Sequence, residues 1–341
     1  MVTMRLHRFA LRLRHPFRTA RGAVDLQKTL IVELEGNGRH GYGEATTSAY
    51  YGCTIANMAA ALESVRPRIE ALSLADLDPA LLWDELDSAL RTNRFAQSAL
   101  DQAAHDLWGK VHGQPVHRLW GLATHRLPPT SYTIGIDDVD VMVAKLREIP
   151  DWPIYKIKLG TPDDLEIVRA LRRHTDAPFR VDPNCGWDVD ETIPKATALR
   201  DLNVEFIEQP LPADRWTAME RLFAASALPL IADESCVVES DVDRCHGRFH
   251  GVNIKLGKCG GLTPARRMIE RARRLGMLVM VGCMTESSVG ISASAQLLPL
   301  LDYADLDGAL LLAEDIATGV TFERGVCRVA DEPGCGARLL R

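Results

Sequence analysis

Charged residues recur in this chain at a nearly constant step, each ending a short apolar run. Lys156 to Asp182 is 26 residues, Asp182 to Glu208 is 26, Glu208 to Asp233 is 25 and Asp233 to Lys255 is 22. That step is the length of one strand-plus-helix unit. A charge on a buried strand is costly unless a partner or a reaction retains it. Several in phase point to one rim of a parallel barrel, the C-terminal face on which such barrels keep their chemistry. From Tyr132 onward the sequence predicts eight strands, at 132–136, 154–158, 179–182, 205–208, 230–233, 251–255, 278–281 and 303–307. Amphipathic helices are predicted between them at 164–174, 192–201, 216–225 and 263–275.

The part before the barrel reads differently. Strand-like segments at 3–13 and 29–34, the second closing on Glu35-Gly36-Asn37-Gly38, form a meander with Gly41-Tyr42-Gly43-Glu44. Helical patterns follow at 55–72, 78–90 and 94–111, the last with an alanine- and leucine-rich stripe. The stretches 16–22 and 46–54, small and polar without helical period, are expected to be long mobile loops. The expected architecture is therefore α/β, a barrel over 121–319 with an α+β capping domain over 1–120 that the tail 320–341 completes.

The bulk properties narrow the function. A net charge of −6, with arginines scattered along helices, gives no support to nucleic-acid binding. No run of 18 apolar residues is present to span a membrane, and no apolar leader stands at the start, so export and insertion are not expected. Eight cysteines without a CxxC pair read as reduced thiols, which suits a cytoplasmic enzyme.

Asp182, Glu208 and Asp233 end three consecutive strands, so their carboxylates can reach one ion. An all-oxygen set without His or Cys suits a hard cation, magnesium rather than zinc. A metal-free carboxylate cluster with perturbed protonation is the rival reading. Lys158 ends the second strand and Lys255 the sixth, so the two face each other across an eight-stranded mouth. A substrate carboxylate on the metal would present its α-carbon to one lysine on each side. Such a site can take a proton from one face and return it to the other through a metal-stabilised enediolate. Lys156 lies on the same strand face as Lys158, and crowding of two ammonium groups is expected to favour a neutral base. Asp305 and Asp307, on the last strand, suggest a cation at the far end of the substrate, as in a dipeptide with a free ammonium; capping of the following helix is the alternative. A lysine forming a Schiff base, as in an aldolase, leaves the metal triad and the opposing lysine unexplained. A non-catalytic barrel leaves the whole set unexplained.

The motifs Lys156-Ile157-Lys158, Asp182-Pro183-Asn184, Glu208-Gln209-Pro210, Ala232-Asp233-Glu234-Ser235 and Asn253-Ile254-Lys255 occur in that order. In this the chain resembles the enolase superfamily, its muconate-lactonizing subgroup and, through Asp305-Leu306-Asp307, the dipeptide epimerases. The resemblance implies a modified TIM barrel of (β/α)7β type with a capping domain. It implies one Mg2+ at Asp182, Glu208 and Asp233, supported by Asn184 and Glu234, and acid/base chemistry at Lys158 and Lys255. Asp305 and Asp307 would clamp the dipeptide ammonium, with Lys156, Thr133 and Cys283 also contacting substrate. Side-chain preference would come from loops 17–26 and 48–54, where Arg21 could meet a glutamate side chain, as in L-Ala-D/L-Glu epimerases. Gly22 and Val24 stand where other members place the arginine, which leaves hydrophobic or cationic dipeptides open. A homo-oligomer is expected. Cycloisomerase, o-succinylbenzoate synthase and N-acylamino-acid racemase activities are the alternatives within the subgroup.

Overall fold

The structure, a computed structural model, describes residues 2–340. It opens with a three-stranded antiparallel sheet, β1 (Thr3–Thr19), β2 (Gly22–Gly36) and β3 (Arg39–Thr46), in the order β1-β2-β3. Three helices follow, α1 (Ile55–Glu70), α2 (Pro79–Leu90) and α3 (Arg94–His112). Each starts on a side-chain cap: Thr54, Asp78 and Asn93 accept from main-chain N–H groups of the first turn. The stretch 16–22, expected as a mobile loop, is instead the end of a long hairpin. Phe17 pairs with Val24 and Thr19 with Gly22, after a register shift between Arg12 and Phe17. Gly22, at φ +136°, makes the reversal that a side chain would resist.

β3 lies directly on α3. A Cβ at Gly41 would come within 2.3 Å of the Ala103 carbonyl oxygen, and one at Gly43 within 2.0 Å of that of Ala99. Glycine at alternate strand positions against alanines on the helix allows this approach. The sheet and helices bury their own core, including Val32, Leu34, Met58, Leu62, Leu86 and Leu107.

The second part is an eight-stranded parallel sheet in sequence order: β4 (Tyr132–Ile134), β5 (Tyr155–Lys158), β6 (Phe179–Asp182), β7 (Val204–Glu208), β8 (Leu230–Ala232), β9 (Gly251–Ile254), β10 (Leu278–Gly282) and β11 (Tyr303–Asp305). A bridge between Thr130 and Ala304 brings the first and last strands together, giving a nearly closed barrel. Alternation sorts the side chains. Tyr155, Ile157, Val181 and Ile207 join the core between strands and helices. Phe206, Ile231 and Met280 form a separate cluster with Tyr303, and the Arg180 guanidinium lies over the Phe206 and Tyr303 rings. The charged strand-end residues share that second parity.

Buried carboxylates of the first part fasten it to the second. Asp101 of α3 accepts from Thr263 N (3.0 Å) and Thr263 Oγ1 (2.7 Å), at the start of helix Leu262–Arg274. Asp106 accepts from Tyr42 N (2.8 Å) and, in the tail, from Cys335 N (2.7 Å). The hairpin is anchored too, with Ile136 N donating to Arg18 O (2.9 Å) and Ala313 N to Arg12 O (2.8 Å).

Candidate active site

Asp182, Glu208 and Asp233 come from the ends of β6, β7 and β8. They are buried, and one ligand oxygen of each lies within 4.8 Å of the others. Among the described residues, acceptor oxygens at the triad lack hydrogen-bond donors: Asn184 Oδ1, Glu234 Oε2 and Glu208 Oε2. The last has the Lys156 ammonium 2.8 Å away, without hydrogen-bonding geometry. Converging oxygens, several short of donors, are what a hard divalent cation satisfies, so the residues fit magnesium. Burial alone would raise the Asp182 carboxyl, but Lys158 and Lys156 hold it down at about 2. Burial also opposes ionisation at Asp233, where Lys255 and Lys258 override it and keep the carboxyl well below its ordinary value. At Glu208 burial wins over Lys156, and with Asp182 and Asp233 nearby the carboxyl rises to about 7.

Lys158 donates to Asp182 Oδ2 at 2.6 Å and Lys255 to Asp233 Oδ2 at 2.9 Å. The two flanking lysines thus hold equivalent oxygens of the two outer carboxylates. Both line a cavity of about 560 Å3 at this end of the barrel. Burial would lower the Lys255 pKa, but Asp233 overrides it and keeps the ammonium protonated. Lys156 departs from expectation. Although burial disfavours its charge, Asp305 (2.7 Å), Glu208 (2.8 Å) and Asp182 (3.2 Å) surround it and raise its pKa well above the ordinary value. Carboxylates outnumber the neighbouring lysine there.

Asp305 also accepts from Ser131 Oγ (2.6 Å), and Lys156 and Ser131 between them engage both of its oxygens. Asp307 Oδ2 accepts from Thr133 N (2.6 Å). Burial and the adjacent Asp305 push Asp307 up to about 7. Thr133, Cys283, Asp305 and Asp307 all line the cavity, and burial with both aspartates keeps the Cys283 thiol protonated. The outer wall comes from the hairpin end and the turn after β3, including Phe17, Ala23, Val24, Thr47 and Tyr50. Arg21 lies there too, but its guanidinium is engaged by Glu234 Oε1 (2.5 Å) and stacks 4.5 Å from the centre of the Tyr50 ring.

Three contributors were given no role from the sequence, although Asn253 stands in the Asn253-Ile254-Lys255 motif. Asn253 donates to Glu208 Oε1 (2.8 Å), and its strand parity with Lys255 was the available signal. Lys258, fully buried, donates to Asp233 Oδ1 and Asp233 O (2.5 Å each) and to Asn253 O (3.1 Å). Its place one helical turn after Lys255 carried no periodic signal. Ser131 precedes β4 and had none.

Residues 141–341 match a family described as enolase C-terminal domain-like, and residues 1–121 match the mandelate racemase / muconate lactonizing enzyme N-terminal domain. An L-Ala-D/L-amino acid epimerase of Flavobacterium johnsoniae is 52% identical over 98% of this chain and 99% of its own. Another of the same name, from a Maribacter species, is 54% identical over 92% of each chain. In fold, the chain is similar to a crystal structure of a dipeptide epimerase from Cytophaga hutchinsonii complexed with Mg and D-Ala-L-Val. The TM-score is 0.94 at 27% identity, covering 100% of this chain and 96% of that one.

Proposed function

The chain belongs to the mandelate racemase / muconate lactonizing enzyme family of the enolase superfamily, and from that premise we propose that it is a magnesium-dependent dipeptide epimerase. It inverts the α-carbon of the second residue. The observation that carries this is the pair Lys158 and Lys255, opening into one cavity on either side of the Asp182, Glu208 and Asp233 triad.

Asp182, Glu208 and Asp233 would hold Mg2+, which when bound would supply positive charge to offset the negative charge of a substrate carboxylate losing its α-proton. One lysine, unprotonated at Nζ, accepts that proton. The other, protonated at Nζ, delivers a proton to the opposite face, and the roles exchange for the reverse direction. Lys158 and Lys255 each bond a triad carboxylate, which places both Nζ atoms at the edge of the metal site. Asp307 supports recognition of the dipeptide ammonium: it faces the cavity with no cation among the described residues bonded to it, whereas Asp305 is paired with Lys156. An arriving ammonium favours the ionised form of Asp307.

Arg21 already meets Glu234, so the charge available to a second-residue side chain is small. The wall of Phe17, Ala23 and Val24 supports uncharged side chains over glutamate. The separate cores support a cap of residues 1–120 over a barrel of 121–319. The bond from Cys335 N to Asp106 of α3 supports joining the tail 320–341 to the cap, although Val320, Cys327 and Cys335 pack in the barrel core. Among the described residues no helix is long and apolar enough to cross a membrane, and the eight cysteines are free, which supports a cytoplasmic site of action.

The test is incubation of L-Ala-L-X dipeptides with protein and Mg2+ in deuterated water. Deuterium should enter the second residue's α-position as the L-Ala-D-X isomer forms. Conversion of N-succinylated or N-acylated amino acids without exchange into free dipeptides would instead favour a racemase of the same subgroup.

A further inference from the structure

We propose that Glu44 is a positioning residue for the dipeptide site, fixing from the small sheet the segment Cys283–Ser287 that forms one wall of the cavity. The proposal rests on the chain acting as a dipeptide epimerase.

Glu44 is 1% exposed. Its carboxylate accepts from Ser287 N at 3.1 and 3.0 Å, from Gly290 N at 3.0 Å, from the Ser287 hydroxyl, and from Thr29 Oγ1 at 2.8 Å. Ser287 caps helix Ser288–Ala295, and the residues just before it, Cys283, Met284 and Thr285, line the cavity. Within that segment Met284 N donates to Glu286 Oε1 (2.9 Å), and Cys283 N to Asp305 O (3.0 Å). The other end of the link is equally fixed. Glu44 N donates to Gln102 Oε1 and Gln102 Nε2 to Glu44 O, both at 3.0 Å, on the helix where Gly43 allows no gap. A wall of the substrate cavity is therefore located relative to α3 by the Glu44 side chain, beside the apolar packing of Met284 against the small domain's core.

Burying a carboxylate is expensive, and an interface needing only adhesion could use apolar contact. What the carboxylate adds is direction: two acceptor oxygens facing main-chain N–H groups. Glutamine would turn an NH2 toward those donors. Asp101 is an internal comparison, because it caps helix Leu262–Arg274 across the same interface, yet neither it nor Thr263 lines the cavity.

The experiment compares Glu44→Gln with Asp101→Asn in the full chain with Mg2+. Each is read by thermal stability, by steady-state epimerisation of L-Ala-L-Leu, and by amide hydrogen exchange of 283–287. Both variants should lose stability. Glu44→Gln alone should raise KM roughly tenfold with kcat changed less than about threefold, and should speed exchange in 283–287. Equal KM shifts in both variants, or no shift in KM and exchange for Glu44→Gln, overturn the positioning role. If Glu44→Gln does not fold, Ser287→Ala removes the hydroxyl bond to Glu44 together with the cap on Val289 N and leaves the main-chain bonds to Glu44; a smaller KM rise with faster exchange in 283–287 supports the role and an unchanged KM overturns it. A wild type that epimerises no dipeptide while Glu44→Gln still speeds exchange in 283–287 overturns the functional assignment and leaves the link between Glu44 and the segment standing.

Discussion

The floor of the cavity and its outer wall are built on opposite principles. On the floor, Lys156, Lys158, Asp182, Glu208, Asp233 and Lys255 are buried on strand ends, each held by oppositely charged partners. On the wall, the hairpin end and the turn after β3 offer small, apolar and hydroxyl side chains, with Val24 44% and Tyr50 49% exposed. Among the described residues, the one wall cation, Arg21, is bound to the floor carboxylate Glu234. Fixed charge without solvent suits bond-making, because such groups need no reorganisation when a proton moves. A half-exposed uncharged wall suits selection of a side chain. Floor substitutions should therefore change rate, and wall substitutions should change preference.

The largest break is Asp233→Asn, or Mg2+ removal by a chelator. Either should cost roughly 10^3-fold or more in kcat, measured by polarimetry or coupled assay. Asp233→Asn also strips Lys255 and Lys258 of their shared carboxylate, so its melting temperature should fall, whereas chelation leaves those pairs in place. Next comes Asp307→Asn, expected to raise KM for a free dipeptide by about 30-fold, near 2 kcal/mol, with little change for an N-acetylated one. Equal losses for both would remove Asp307 from ammonium recognition. On the wall, Val24→Arg should shift the ratio of kcat/KM for L-Ala-L-Glu over L-Ala-L-Leu upward by about tenfold with the rate of exchange preserved. A uniform loss would show that the wall does not select.

The smallest effect lies behind the wall, at Glu286. Burial and the neighbouring Glu44 raise its pKa to about 8, above its unfolded value. The folded state therefore binds more protons than the unfolded one, and this contribution to stability is full below the unfolded pKa and lost as pH rises through about 8. Glu286→Gln should flatten the decline in stability between pH 5 and pH 8 while leaving activity nearly unchanged, read by denaturant titration at several pH values. A parallel decline in both proteins would contradict it.

The floor was legible in the sequence for a physical reason. A barrel interior tolerates charge only where charge is used, so Asp182, Glu208, Asp233 and Lys255 stand out against apolar runs at one repeat length. The hairpin end was not legible, because β2 from Gly22 to Leu26 is exposed on both faces and shows no apolar alternation to mark a strand. Glu44, Asp101 and Lys258 also stayed hidden. Their partners are main-chain groups or residues far along the chain, and nothing local distinguishes them from ordinary surface charges. The crowding argument for Lys156 failed because it weighed one lysine neighbour on the strand and not the three carboxylates brought in by other strands.

The central claim is that Lys158 and Lys255 each serve one face of the α-carbon. It is tested most directly by α-proton exchange in deuterated water with the separate L,L and L,D dipeptides and the variants Lys158→Ala and Lys255→Ala. Each variant should lose epimerisation by roughly 10^2–10^4-fold while retaining exchange from one isomer only, the opposite isomer in the two variants. Retained exchange from both isomers in either variant, or loss from both isomers through the same single lysine, would contradict the account.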